Sequence, residues 1–502
     1  MLARFTAPLL LITPALAQAT FTPLGAGMRA SGISSDGQWV TGYAAAGTFR
    51  WSSGSGLNFP VTLGSQGGNV QCSTGCTFGC NTYTNPSTNN QEAARWDASG
   101  NVQYLGGLAS QSGTSLSTAY GMDDSGTVIV GLGWVTAGTA HAFKWTLAGG
   151  MTDLGASPGG FSSRANGVSP DGSVTVGWDN GSPRKPVYWS GGTMTPIGNG
   201  TLSGEGWAAS TNGAVITGVY NGQLLRWTQA TGAQQLGKLP GSVSSDQASG
   251  LDISADGGTI VGINGSVLGT GFRALLWRSD LGLVELQTYL NPYLGAQLSG
   301  WSLQAATGIS ADGRTICGYG FDPGAQLEAW VITLPPDSPL SPYCTPGTAG
   351  VITCPCSNPP AGANRGCDNS AATGGASISA TGLALLSNDT VVVSTANQRP
   401  TGTTILLQGV AQTTGAIFGQ GVRCVNGTLK RLYVKSASGG SISVPGAGDP
   451  TISARSSALG DPIGSNSTRE YTAYYRDPTV LGGCPAASTW NCTNAGQIFW
   501  YP

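Results

Sequence analysis

Ala119-Tyr120-Gly121-Met122-Asp123-Asp124-Ser125-Gly126-Thr127-Val128-Ile129-Val130-Gly131 holds the pattern on which the fold turns. A small residue, a variable residue and Gly open it. An apolar residue, a Ser or Asp and a turn follow, and a β-branched run closes on Gly. Asp124-Ser125-Gly126 supplies the turn, with Gly free to take φ > 0. The phrase returns at 30–42, 165–177, 208–218, 248–262 and 306–318. Asp-Gly recurs at Asp36-Gly37, Asp171-Gly172, Asp256-Gly257 and Asp312-Gly313, with Asn212-Gly213 as a variant. A single carboxylate per turn, far from the others, reads as hairpin chemistry rather than as calcium ligation.

Each copy runs on to a Trp that ends a short apolar stretch. The series is Trp51, Trp96, Trp145, Trp189, Trp227, Trp277 and Trp330, spaced 38 to 53 residues apart. Four strand-like pieces fit one such period; in the quoted copy they are 119–123, 128–131, 142–145 and 151–154. A repeat of this length with four strands per copy predicts propeller blades. The second copy is degenerate, its turn replaced by Cys72-Ser73-Thr74-Gly75-Cys76-Thr77-Phe78-Gly79-Cys80, and seven blades follow when it is counted. Blades tend to finish on Leu-Gly, as at Leu105-Gly106, Leu154-Gly155 and Leu236-Gly237. The seventh copy lacks that piece, and Phe21-Thr22-Pro23-Leu24-Gly25 matches it. An N-terminal strand completing the last blade would remove two exposed edges at once.

Composition agrees with short strands and many turns. Of 502 residues 80 are Gly, charged residues make up 9 %, and 14 Trp, 15 Tyr and 11 Phe argue against disorder. The net charge of −2 provides no basic footprint for nucleic acid. A single histidine excludes catalysis or metal binding built on several. Residues 1–19 read as an export signal: Arg4 carries the charge, 7–16 is mostly apolar, and Ala17-Gln18-Ala19 is a cleavage site. No later apolar run reaches the ~20 residues of a membrane span. The expected location is secreted, cell-surface or periplasmic, where disulfides persist.

His141-Ala142-Phe143-Lys144-Trp145, followed by Gly150-Met151-Thr152-Asp153-Leu154-Gly155, resembles the HAF repeat of bacterial extracellular proteins. Looser matches are Thr48-Phe49-Arg50-Trp51, Pro186-Val187-Tyr188-Trp189 and Leu225-Arg226-Trp227. The resemblance covers 20–335 and implies a fold without an activity. His141 belongs to the repeat, which favours a structural role for it.

Leu334-Pro335-Pro336-Asp337-Ser338-Pro339 ends the repeats, and 336–343 reads as a linker. Beyond it lie Cys344, Cys354, Cys356, Cys367, Cys424, Cys484 and Cys492, with strand-like runs at 390–394, 404–408, 429–434, 470–475 and 497–500. This predicts a disulfide-bearing β-sandwich or jelly roll over 344–502. Paired thiolate ligands of zinc prefer wider spacing than Cys354-Pro355-Cys356, so disulfides are expected instead. An odd number cannot all pair internally, and Cys317 is expected as a buried thiol within a strand. Gly366-Cys367-Asp368-Asn369-Ser370, Leu429-Lys430-Arg431-Leu432-Tyr433 and Tyr474-Tyr475-Arg476-Asp477-Pro478 are similar to C-terminal modules of large secreted proteins of environmental bacteria.

The expected fold is thus all-β, a seven-bladed β-propeller followed by a β-sandwich or jelly-roll-like domain. Its loops would bring Arg29, Arg164, Asn166, Glu205, Trp207, Asp246 and Trp301 to one propeller face, with Tyr43, Trp134, Trp178, Asp179, Asn180, Tyr220, Asn264, Tyr319 and Asp322. Aromatic faces beside amides suit pyranose rings and hydroxyls. The ligand-binding candidates are Tyr43, Trp134, Arg164, Trp178, Asp179, Asn180, Trp207 and Tyr319. The functional expectation is a secreted, non-catalytic binding or adhesion protein recognising a glycan or cell-surface partner, without cofactor or metal. One alternative is a polysaccharide hydrolase or lyase using Glu205 and Asp246 as a carboxylate pair. The other is a structural surface module with no small ligand.

Overall fold

The computed structural model describes residues 18–64, 67–108, 115–136, 138–158, 161–266, 271–485 and 487–502. The export-signal reading of 1–19 falls almost wholly outside them. Two compact units divide the described chain, Ala19–Leu334 and Pro335–Pro502.

In the first unit the described residues form seven four-stranded antiparallel sheets. Their innermost strands are Arg29–Ile33, Gln71–Cys72, Ser117–Met122, Ser163–Val168, Gly204–Ala209, Asp246–Ile253 and Ser302–Ile309. We number the sheets one to seven in that order. The degenerate copy forms sheet two, with Trp96 in its third strand Gln91–Asp97. Thr20–Ala26 is the fourth strand of sheet seven, pairing with Leu327–Thr333.

Apolar side chains fill the space between successive sheets. Val61, Val70 and Tyr83 join sheets one and two; Cys80, Ile129 and Phe143 join two and three. Val130, Ala165 and Val187 do so for three and four, and Val176, Ile197 and Ile216 for four and five. Val215, Ala248 and Ile260 pack five on six, while Ile33, Phe49 and Cys317 pack seven on one. At the hairpin that ends each inner strand, backbone bonds run from sheet to sheet. Thr74 N donates to Asp124 O (2.9 Å), Asp124 N to Pro170 O (3.0 Å), Thr211 N to Ala255 O (3.1 Å), Ala255 N to Ala311 O (3.0 Å) and Ala311 N to Ser35 O (2.9 Å). The last bond brings sheet seven back to sheet one, so the arrangement is propeller-like and closed. Pro170 has no N–H to pass on to sheet five. That junction is held nearer the strand starts, by Asn166 Nδ2 donating to Gly206 O at 2.8 Å. Between sheets one and two, Gly75 N donates to Asp36 Oδ2 at 3.1 Å.

The Asp-Gly turns explain themselves locally. Ser34, Ser169, Ser254 and Ser310 hydroxyls donate to Asp36, Asp171, Asp256 and Asp312 at 2.5–2.6 Å. Gly172 and Gly313 take φ of 73° and 72° at the tips. Each carboxylate is thus occupied by its own turn.

The Trp series is not uniform. Trp51, Trp145, Trp189, Trp227 and Trp277 face Val40, Ile129, Thr175, Ile216 and Ile260. In sheet seven Ile332 holds that position opposite Ile316, and Trp330 lies two residues earlier, facing Gly318. A Cβ on Gly318 would come within 2.4 Å of the Trp330 ring, which explains why the ring fits only opposite glycine. Strand limits in the quoted copy also differ from expectation: they are Ser117–Met122, Val128–Thr136, Thr139–Thr146 and Gly150–Asp153. A helix not expected from sequence, Leu286–Leu294, precedes sheet seven and buries Leu286, Leu290 and Leu294.

The second unit has a five-stranded sheet in the order Leu340–Tyr343, Trp490–Trp500, Ser467–Arg476, Thr403–Gly409, Lys430–Ser436. A three-stranded sheet (Ser377–Thr381, Val392–Ala396, Ser443–Val444) and the hairpin Ala411–Phe418/Gly421–Asn426 complete its strands. Leu340–Tyr343, expected within a linker, is therefore an edge strand, paired with Ala495 to Ile498. Leu406, Leu432, Tyr471, Ile498 and Trp500 share a core with Ile378, Val393 and Val444 of the smaller sheet. Cys344–Cys424, Cys354–Cys367 and Cys356–Cys484 are disulfides, and Cys492 is a buried free thiol, as is Cys317 in the first unit. Two of the segments singled out in the sequence meet here. Ser370 N donates to Asp477 Oδ2 at 3.0 Å, and Asn369 Nδ2 to Tyr475 Oη at 3.3 Å. Among the described residues no helix is long and apolar enough to cross a membrane.

Candidate functional site

A cavity of about 310 Å³ lies on the axis of the seven sheets, and residues of every innermost strand or its turn border it. Its construction begins with a backbone irregularity. In six inner strands the register slips by one residue at the same place, leaving Ser31, Tyr120, Asn166, Trp207, Leu251 and Thr307 bulged. A bulge re-aims its side chain, and all six border the cavity.

The bulge explains the glycine that closes each repeat. Gly42, Gly131, Gly177, Gly218, Gly262 and Gly318 stand opposite the residue just before it. There a Cβ would come within 1.9–2.1 Å of an inner-strand carbonyl oxygen. The variable residue and the glycine of the sequence phrase are two sides of one device.

The two ends of the cavity differ in chemistry. At the strand starts lie Arg29, Tyr43 and Tyr319, with the Arg29 guanidinium carbon 4.8 Å from the Tyr319 ring centroid. Burial raises the Tyr319 phenol, and the adjacent guanidinium opposes the shift. At the turn end lie Ser35, Asp124, Pro170, Ala255 and Ala311, the residues of the backbone ring. Burial raises the Asp124 carboxyl, against a hydrogen bond from the Ser35 hydroxyl. Asp252 also borders the cavity; burial pushes it up to about 7 although Ile309 N (2.8 Å) and Ile253 N (2.9 Å) donate to it. The Cys72 thiol at the cavity edge is held well above its usual range by a hydrogen bond with Cys76 and by burial, which leaves little thiolate to act as a nucleophile.

Three of the eight ligand-binding candidates border this cavity: Tyr43, Trp207 and Tyr319. Arg164 sits beside it. Its Nε donates to Asn166 Oδ1 (2.7 Å), its Nη2 to Glu205 Oε2 (3.1 Å), and its guanidinium carbon lies 4.7 Å from the Tyr120 ring and 5.6 Å from the Trp207 ring. Trp178 is packed against Arg164 (5.3 Å) and Arg184 (4.2 Å) rather than on the cavity wall. Asp179 is buried, and its carboxylate accepts from Ser157 N (2.9 Å) and Oγ (2.5 Å), so it pins a loop. Asn180 is exposed and its N–H goes to Ser162 O at 2.7 Å; Trp134 is half-buried, its N–H on Leu116 O at 3.0 Å. Neither reaches the cavity, because each lies at the far end of a second strand, beyond the inner-strand bulge. Asn264 and Tyr220 serve their own loops through Leu239 N and Asn199 Oδ1.

The carboxylate pair is not assembled. Glu205 is gripped by Arg164 and by Arg184, whose Nη1 is 2.6 Å from Oε1, and Asp246 accepts from Val243 N at 3.0 Å. His141 Nδ1 is 2.9 Å from Asp153 Oδ2, across two outer strands. Among the described residues no three His, Cys, Asp or Glu side chains converge as metal ligands. The expected site does not include Ser31, Tyr120, Leu251, Thr307 or Asp252; the variable place of the repeat is the only signal for the first four, and an aspartate where the repeat has a small residue is the only one for Asp252.

No family model matches the chain, and no curated protein does. Solved structures similar to it include TolB from Acinetobacter baumannii, at 13 % identity and a TM-score of 0.34 over 51 % of this chain and 64 % of that one. The chain thus spans less than two thirds of the TolB length. An oligogalacturonate lyase in complex with manganese matches at 13 % identity and TM-score 0.40, covering 64 % of this chain and 99 % of that one. One of two prolyl endopeptidases matches at 9 % identity and TM-score 0.39, over 77 % and 56 %. Likeness at this level assigns no activity, and the site rests on its own geometry.

Proposed function

We propose that this chain is an exported, non-catalytic glycan-binding protein, a seven-bladed HAF-repeat propeller followed by a β-sandwich domain, whose ligand enters the axial cavity. The observation that carries the reading is the bulge ring. Six strands present the cavity with one side chain each, and those side chains mix hydroxyl, amide and aromatic groups. Sugars use that mixture, stacking a pyranose face on a ring while amides and hydroxyls take the ring's own hydroxyls. A cavity of about 310 Å³ is at the small end of ligand sites, which suits one or two sugar units. The non-catalytic part of the reading is supported by Glu205, which two arginines neutralise, and by Asp246, which is spent on its own loop. Export is supported by the three disulfides of the second unit.

The test is a glycan-array screen of the mature protein, followed by titration of the best ligand against Trp207→Ala and Trp178→Ala. Trp207→Ala should weaken binding about tenfold, since an aromatic contact contributes about 1 kcal/mol beyond its area. Trp178→Ala, a packing change outside the cavity, should alter stability more than affinity. Absence of binding to any glycan, or equal loss in both variants, would remove the axial cavity as the site. Incubating the bound glycan and analysing it for cleavage checks turnover in the same experiment.

A further inference from the structure

Every other arginine at the strand-start end of the cavity is spoken for. Arg164 and Arg184 share Glu205, but among the described residues no carboxylate pairs with Arg29 and no acceptor takes its N–H groups. Arg29 stands two residues before the bulged Ser31 and borders the cavity between Tyr43 and Tyr319. It is only partly exposed. A guanidinium presents a planar fork of N–H donors. The far end of the same cavity holds the carboxyls of Asp124 and Asp252. The cavity is therefore polarised along its axis, cationic and aromatic at one end, carboxyl-bearing at the other.

We propose that Arg29 is the anion-recognition residue of the axial cavity and that the ligand is a carboxylate-bearing sugar, a uronic acid or similar acidic pyranose. The inference rests on the glycan reading and narrows it. A planar carboxylate matches the guanidinium fork through two parallel N–H···O bonds. One unpaired cation among the described lining residues, with two carboxyls deeper in, suits a singly charged group and disfavours a phosphate dianion. Pyranose hydroxyls directed towards Asp124 and Asp252 would donate to them, and the polar bulge residues Ser31, Asn166 and Thr307 lie between the two ends. Tyr43 and Tyr319 flank the place where the carboxylate would sit.

The experiment uses the full mature chain and four matched probes: a uronate oligosaccharide, the same oligosaccharide with its carboxyls reduced to alcohols, its sulfated neutral counterpart, and a neutral parent. Titration calorimetry of wild type should show the uronate form binding at least about tenfold more tightly than the carboxyl-reduced form, the usual worth of a charge-assisted pair. Arg29→Gln should lose that preference while leaving the neutral forms unchanged, and Arg29→Lys should restore part of it. Arg50→Gln, at an arginine stacked on Trp39 (4.9 Å) outside the cavity lining, should leave every affinity as it was. Equal binding of the uronate and carboxyl-reduced forms overturns the inference alone, and so does a preference for the sulfated probe. Failure of all four probes, with no other glycan bound, overturns the glycan reading itself. The comparison of uronate with its reduced form needs no variant, so the inference stands or falls even if Arg29→Gln folds poorly.

Discussion

Asp252 occupies a place that its counterparts leave small. The residue after the bulge is Gly32, Gly121, Gly167 and Gly308 in four inner strands and Ala208 in a fifth. A neighbouring sheet presses on this position: a Cβ on Gly167 would meet Trp207 O at 2.3 Å. In sheet six the aspartate reaches across instead and takes Ile309 N of sheet seven at 2.8 Å. Burial wins over these hydrogen bonds and holds the carboxyl at about 7, against 3.8 for a free side chain. Between those values the folded chain binds more proton than the unfolded one, so stability falls with rising pH. The contribution is fully present below about pH 4 and lost as pH climbs through 7. Asp124 and the Cys317 thiol, the ionisable neighbours, act in the same direction or not at all, since Asp124 is also raised by burial. Because Asp252 borders a cavity rather than solid core, we expect a discounted effect of about 1–2 kcal/mol between pH 5 and pH 8. Urea unfolding at both pH values should show wild type losing that much more stability than Asp252→Asn. Parallel pH profiles for the two proteins would refute it.

At the scale of the element, the repeat is a bulged hairpin with a glycine facing the bulge. The period, the tryptophans and the Asp-Gly turns are readable in sequence because each is a local requirement of backbone and burial. The bulged cavity residues are readable only in part, Trp207 and Asn166 among them, because a bulge is defined by backbone alone. Ser31, Tyr120, Asn166, Trp207, Leu251 and Thr307 share no chemistry, so no composition rule selects them. Trp178 and Asp179 looked equally good from their position on a loop-bearing strand end. What removes them is pairing between distant segments, Arg164 and Arg184 in one case and Ser157 in the other. The glycine argument can be checked directly. Gly131→Ala would place a methyl 2.0 Å from Thr118 O and 2.8 Å from the Phe143 ring. It should cost about 2 kcal/mol or more, whereas Gly54→Ala, with open space around it, should be near neutral. Thermal melts of the two variants decide the matter, and equal melting temperatures would mean that the bulge does not require its glycine.

For the molecule as a whole, the two units are stabilised by different means. Ala19–Leu334 closes on itself through the pairing of Thr20–Ala26 with Leu327–Thr333 and through apolar seams, and its described cysteines are free thiols. Pro335–Pro502 adds three disulfides to a core rich in buried Asn, Gln and Thr. Cross-links of this kind contribute about 2–4 kcal/mol each. Scanning calorimetry with and without reductant should therefore lower one transition and leave the other in place, with peptide mapping after limited proteolysis assigning the labile part to 335–502. A reductant-sensitive first unit would point instead to pairing among Cys72, Cys76 and Cys80.

The proline at 170 gives this ring a weak joint. A hoop riveted at every stave resists opening equally all round, but here the rivet between staves four and five is absent for a covalent reason, and beside their apolar seam those staves are clasped near the opposite rim, by Asn166 and Arg164. Strain applied to the hoop therefore falls in part on this joint, which has no backbone bond to break at the turn end. The clasp and the ligand wall are the same residues or their immediate neighbours. Loading the cavity would stiffen the hoop at this joint, and a mutation that loosens the clasp would be felt as lost affinity before it was felt as lost structure.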